Sequence, residues 1–189
     1  MDERERQIYE VGESLLSERL KDNIAKIELA FETMQDSDET GFYKAFEEML
    51  GQVQIAQEKT EKEILRYIYI SFLQSSIYTK SYAFRIDAYD KRQFADITDT
   101  HVYWSPQFIF EYFDEDMAYF RKYISSKVLR VREYEIMQFA TRYASHYFQM
   151  VQALVSVLIA PLIEDVEEIT VLFGGYLDQV FVIADKKGQ

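Results

Sequence analysis

His101 and His146 are the only two histidines in a chain of 189 residues, and cysteine is absent altogether. Those two counts remove much of the usual chemistry. Without thiols there is no disulfide, no thiolate nucleophile and no cysteine-held zinc or iron–sulfur cluster. Two isolated histidines cannot build a three-histidine zinc site, and neither stands in an H-E-x-x-H or E-x-x-H arrangement. A mixed site of His101 with Asp96 and Asp99 can be drawn, but the stretch reads more simply as a solvated turn of Asx residues. No catalytic residue, metal or cofactor is therefore assigned.

Three other groups could carry a function. One dense acid cluster is Glu111, Asp114, Glu115 and Asp116. Glu111 and Glu115 lie one helical turn apart and repel each other, which is the pattern of a solvated face, or of carboxylates kept for a divalent cation or for docking a basic partner. Tyr82, Arg85, Tyr89, His101 and Trp104 fall in one aromatic-rich stretch that could border a ligand pocket. Arg142 and His146 lie on or beside a narrow polar line (Glu135, Gln138, Arg142, Ser145, Gln149, Gln152, Ser156), which is either a solvent-facing seam or a second polar lining. Basic residues gather around Arg121, Lys122, Lys127, Arg130 and Arg132. Neither G-x-x-x-x-G-K nor G-x-G-x-x-G accompanies them, so a nucleotide site is not supported.

Composition narrows the partners. The net charge is −12, and residues 1–63 alone hold 17 acidic against 8 basic side chains. Such a surface repels phosphates, so neither nucleic acid nor an acidic membrane is expected to bind. The longest apolar run, residues 153–163, is interrupted by Ser156 and Pro161 and falls short of the roughly 20 residues a membrane span needs. No apolar stretch follows the amino-terminal MDERER, so a cytoplasmic protein without a signal peptide is expected. Aromatic residues reach 16%, with 15 Tyr and 14 Phe, while Gly and Pro number only 6 and 2. Few turn-formers argue for long helices.

These elements would have to position the candidate residues. Leu16, Leu20, Ile24, Ile27, Phe31 and Met34 recur at helical spacing and predict a first helix over 2–34. Asp38 or Thr40 is placed to cap a second helix over 42–79, carried by Phe46, Met49, Val53, Ala56, Ile64 and Tyr67. Around residues 82–88 the apolar period drops to two, so the 80–104 segment is a short β-hairpin, an irregular excursion or more helix. Ser105-Pro106 opens a further helix. Another spans 131–160, ahead of Pro161. A last helix over 163–184 would hold Gly174-Gly175 against a neighbour and place Asp178 within reach of a partner such as Arg142, with Lys186 and Lys187 at its negative end.

The expected architecture is a single all-α domain over residues 1–189, an antiparallel bundle of five or six helices with the 80–104 excursion. The expected function is a non-catalytic interaction protein with a protein partner or a second copy of itself. Leu16, Leu20, Ile24, Ile27 and Phe31 form its interface. A helical sensor holding a small ligand at Tyr82, Arg85, Tyr89, His101, Trp104, Arg142 and His146 is the alternative. An enzyme with carboxylates assembled around Glu111, Asp114 and Glu115 is the second alternative.

Overall fold

A strand returns to the same face every two residues, and that period organises the strands within residues 65–104, 169–176 and 179–186. The structure, a computed structural model, describes residues 2–34, 40–176 and 179–186. Among them are five α-helices: α1 (Glu3–Met34), α2 (Phe42–Glu58), α3 (Ser75–Thr79), α4 (Gln107–Ile124) and α5 (Glu133–Leu162). Five strands accompany them: β1 (Leu65–Phe72), β2 (Phe84–Asp90), β3 (His101–Trp104), β4 (Ile169–Tyr176) and β5 (Gln179–Lys186). The fold is mixed α/β, which overturns the expected all-α bundle.

The helices expected over 2–34, after Ser105-Pro106 and over 131–160 are present as α1, α4 and α5. The helix expected over 42–79 ends at Glu58. Thr60 takes a left-handed backbone (φ 59°), and Glu61 N–H bonds back to the Ala56 carbonyl, which turns the chain out of the helix. Beyond it, Tyr67-Ile68-Tyr69-Ile70-Ser71-Phe72 alternates strictly and forms a strand. The expected last helix is instead the β4–β5 hairpin, whose Val, Ile and Thr residues favour strand over helix. Gly174 accordingly lies in a strand. Residues 80–104 are no appendage, because they supply β2 and β3 of the same sheet. Asp38, Asp178 and Lys187 lie outside the described residues, whereas Thr40 Oγ1 accepts a bond from Phe42 N–H at 3.3 Å.

The chain divides into two compact units. The first comprises Met1–Thr33 and Gln107–Val151, hence α1, α4 and the first part of α5. Here α1 and α5 run in the same direction, with Arg4 bonded to Glu135, Arg142 to Glu5 and His146 Nε2 to Glu13. The polar line of α5 is thus partly taken up by ion pairs to α1. α4 runs the other way, so that Arg19 meets Asp116 while Gly12 meets Phe120. Leu16 and Ile27 are buried, and Leu20, Ile24 and Phe31 are half-buried, so the protein itself consumes much of the stripe expected to be an interface.

The second unit comprises Met34–Pro106 and Gln152–Gln189 and contains a sheet of order β3-β2-β1-β4-β5. Neighbours are antiparallel except β1 and β4, which are parallel. Ile68, Ile70 and Phe72 of β1, Phe84, Ile86 and Ala88 of β2, Val102 and Trp104 of β3, and Ile169, Val171 and Phe173 of β4 share one face and are all buried. α2 packs on β2 and β3. Phe42 meets Trp104 edge to face at 5.1 Å, and Phe84 lies within 5.0–5.8 Å of Phe72, Trp104 and Phe173. Burying each of these side chains contributes about 2 kcal/mol. α5 is long and apolar enough to cross a membrane by length and composition alone. Its Tyr143, Tyr147, Val151, Val155 and Leu158 are buried within the protein, as in a core helix.

Gly12 lies where α1 meets the Phe120 and Phe139 rings of α4 and α5. A Cβ there would stand 2.3 Å from Phe139 Cε2 and 2.9 Å from Phe120 Cε2. Gly12→Ala gains about 1 kcal/mol of helix propensity but overpacks two stacked rings. A net destabilisation of about 1–2 kcal/mol is expected in urea denaturation, and a more stable variant would show that the rings yield freely.

Candidate functional site

Strand alternation that buries one face of the sheet must present the other. Register aligns the open-face side chains into three rows. One row runs His101, Asp87, Tyr69, Leu172 and Val182 from β3 to β5. A second runs Tyr103, Arg85, Ser71, Gly174 and Val180. A third runs Tyr89, Tyr67, Thr170 and Asp185. The register shifts between Leu65 and Tyr67, between Val171 and Leu172 and between Gly174 and Tyr176. Most of these side chains are half-buried, and Tyr103 is 56% exposed.

The rows hold a charge network. Arg85 Nε donates to Asp87 Oδ1 at 2.8 Å, and its Nη2 reaches Asp87 at 2.7 Å and Asp99 at 3.1 Å. Asp99 also bonds His101 Nδ1 at 2.7 Å. Burial pushes the Asp87 carboxyl above its ordinary range, against the pull of Arg85. Tyr69 and Tyr89 are raised first by burial and then by Asp87, so both stay neutral donors. Beside this network Phe94 stands edge-on to Tyr69 at 6.2 Å and to Tyr89 at 5.5 Å, and it is 73% exposed.

The loop bearing Phe94 and Asp99 is held from below. Buried Lys62 donates to the Asp96 carboxylate and to the Thr98 carbonyl. Asp96 also accepts from the Asp90 and Thr98 amides. Arg92 clamps Asp90 through Nε at 3.0 Å and Nη2 at 2.5 Å. The Arg92 bonds hold the Asp90 carboxyl well below its ordinary value. Burial works to raise Asp96 but is outweighed by Lys62 and the two amides, leaving it lowered.

Chemically the open face is suited to recognition. Asp87, Asp99 and His101 bring ligand atoms within 4.8 Å of one another, close enough for a cation. The Arg85 guanidinium already pairs with both carboxylates, so a metal would have to compete with it. The His101–Asp99 pair resembles half of a hydrolytic triad. Among the described residues no hydroxyl bonds the ring, however, and Ser71 Oγ is bonded to the Arg85 carbonyl. Asp96, drawn with His101 from the sequence, is instead the buried partner of Lys62.

The expected ligand residues separate. Arg85, Tyr89 and His101 share the open face. Tyr82 and Trp104 are core residues, with Trp104 Nε1 bonded to the Thr40 carbonyl at 2.9 Å. Arg142 and His146 belong to the first unit. Glu111 and Glu115 are exposed. From that acid cluster only Asp116 is fully buried, accepting bonds from Arg19 (2.8 Å), Asn23 (3.2 Å), Tyr143 (2.9 Å) and Tyr147 (2.6 Å). Burial and Asp116 push both tyrosines far above their ordinary range, so they act as permanent donors in a satisfied internal network. Tyr69, Asp87 and Phe94 join the candidate face without having been expected there; strict alternation through residues 67–72 is the signal for Tyr69. No family model, curated protein or solved structure matches the chain.

Two tests follow from these networks. Asp116→Ala strands two tyrosine hydroxyls, Asn23 and Arg19, and should cost about 4 kcal/mol in urea denaturation, with Asp116→Asn costing less. Asp90 and Asp96 titrate below their ordinary 3.8. Their stabilisation is therefore complete above the unfolded value and is lost as pH falls through the folded ones. The contribution of this pair to the urea midpoint should hold from neutral pH down to about pH 4 and fall below it, and Asp96→Asn should flatten part of that drop while lowering the neutral-pH value.

Proposed function

We propose that the chain is a non-catalytic interaction protein whose recognition surface is the open face of its five-stranded sheet. The observation that carries this reading is the clustering of Tyr69, Tyr89, Phe94 and Tyr103 around the Arg85–Asp87–Asp99–His101 network on an uncovered face. Tyrosine and arginine dominate protein interfaces because they combine broad apolar contact with a polar tip. The internal pairing of Arg85 with Asp87 and Asp99 supports a protein surface over a small anion as occupant, since two carboxylates already stand beside that guanidinium. Exposed Phe94 and Ile97 extend the apolar rim from the loop. A cytoplasmic setting is part of the proposal and fits the acidic composition.

The test compares the intact chain with Tyr103→Ala and Phe94→Ala. Both side chains are exposed, so neither substitution should move the unfolding midpoint. A partner isolated with the intact chain is purified and its affinity measured. A loss of about tenfold or more in each variant is expected, corresponding to about 1.4 kcal/mol apiece. A partner that binds both variants as well as the intact chain would remove the open face as its site.

A further inference from the structure

The two edges of the sheet are treated differently. β3, at one edge, has four residues, and its His101 N–H is taken by the Gln52 side chain of α2 at 3.1 Å. β5, at the other edge, has eight residues and is paired only with β4. Among the described residues no side chain bonds the backbone of residues 180–184. Its charges lie at the far end: Asp185 accepts from Thr170 Oγ1 at 2.9 Å, and Lys186 turns back to the Ile163 and Glu164 carbonyls. An apolar, unguarded edge strand carries a row of free donors and acceptors that another strand can complete.

The exposed part of this edge has its own symmetry. Val180, Phe181 and Val182 are 54%, 38% and 61% exposed. Val180 and Val182 pair with Gly174 and Leu172 on the open face, and Phe181 pairs with Phe173 on the covered face. Beyond them the register shift between Val171 and Leu172 displaces Ile183 and closes the regular stretch. The remaining triplet, Val-Phe-Val, reads the same in both directions. A two-fold axis through Phe181, perpendicular to the sheet, therefore places Val180 opposite the second copy's Val182 and Phe181 opposite its own equivalent. Like side chains then meet on like faces, and the edge hydrogen bonds are completed without a charge entering the pairing.

We propose that the chain forms a homodimer by antiparallel pairing of β5 with a second copy, centred on Phe181, making one continuous ten-stranded sheet. The occupant is a second copy because the apolar triplet is palindromic; an unrelated strand would have no reason to match Val-Phe-Val about a centre. This inference is carried by the edge and not by the open face, so it stands or falls separately from the recognition surface proposed above.

The absence of cysteine from the natural chain gives a direct test. Phe181→Cys carries one thiol, and antiparallel partners at the axis stand about 4.5–5.5 Å apart between Cα atoms, within disulfide reach. Mild oxidation should give a covalent dimer of the 189-residue chain, while Val157→Cys, on an exposed part of α5, should not. In parallel, sedimentation of the unmodified chain from about 1 to about 100 µM should show a species of about twice 22.5 kDa. Val182→Lys should weaken that dimer by about tenfold or more with unchanged circular dichroism, and Phe94→Lys, on the open face, should leave it intact. A strict monomer at the top concentration overturns the proposal. So does a dimer that ignores Val182→Lys, or a Phe181→Cys variant that cross-links no faster than Val157→Cys.

Discussion

Lys62 is buried with its ammonium on Asp96, and the surface of the second unit is organised around that pair. An ammonium taken out of water costs several kcal/mol, and it is tolerated here because every neighbouring group is committed to the same cluster. Asp96 takes Lys62 and two backbone amides, Asp90 takes Arg92 and the Glu63 amide, and the Thr98 carbonyl takes Lys62. The residues brought together lie before β1, at the end of β2 and in the loop that precedes β3. One ionic cluster thus fixes the turn that begins the sheet and the loop that leans over its open face. Phe94 and Asp99 owe their positions to it.

The sheet then divides the aromatic residues by chemistry. Its covered face takes Phe72, Phe84, Phe173 and Trp104, side chains with no polar atom or with one N–H that finds a carbonyl. Its open face takes Tyr67, Tyr69, Tyr89 and Tyr103, whose hydroxyls need water or a partner. In the first unit Tyr143 and Tyr147 are fully buried, and there the partner is internal: the Asp116 carboxylate accepts both hydroxyls. These six tyrosines therefore answer two separate demands, a satisfied polar core in the helical unit and a wettable face on the sheet.

What could be read from the sequence follows the periods involved. The stripes of α1, α4 and α5 persist over 18 residues or more, so a period near 3.6 is unmistakable. β1, β4 and β5 offer eight residues each, too few for the two periods to separate by apolar spacing alone. The line through Phe46, Met49, Val53 and Ala56 continues numerically into Thr60, Ile64 and Tyr67, although the chain has left the helix at Glu58. Side-chain branching was the better signal, since Ile68, Ile70, Val171, Val180 and Val182 carry two heavy atoms on Cβ and lose rotamer freedom in a helix.

The site was half legible for a related reason. Arg85, Tyr89 and His101 are odd-numbered and share the open face; Tyr82 and Trp104 are even-numbered and go to the core. Proximity in sequence grouped all five, whereas a strand assigns neighbours to opposite faces. Once β2 and β3 are recognised as strands, parity separates the open-face positions Arg85, Tyr89 and His101 from Trp104 in the core, while Tyr82 precedes β2 with a left-handed backbone (φ 46°) and lies outside that alternation. The same logic extends to the edge, where Val180 and Val182 face one way and Phe181 the other. A surface apolar on both sides of a single strand cannot be covered by a helix packed on one face of the sheet; only another strand, laid alongside in the plane, shields both sides and completes the hydrogen bonds between them.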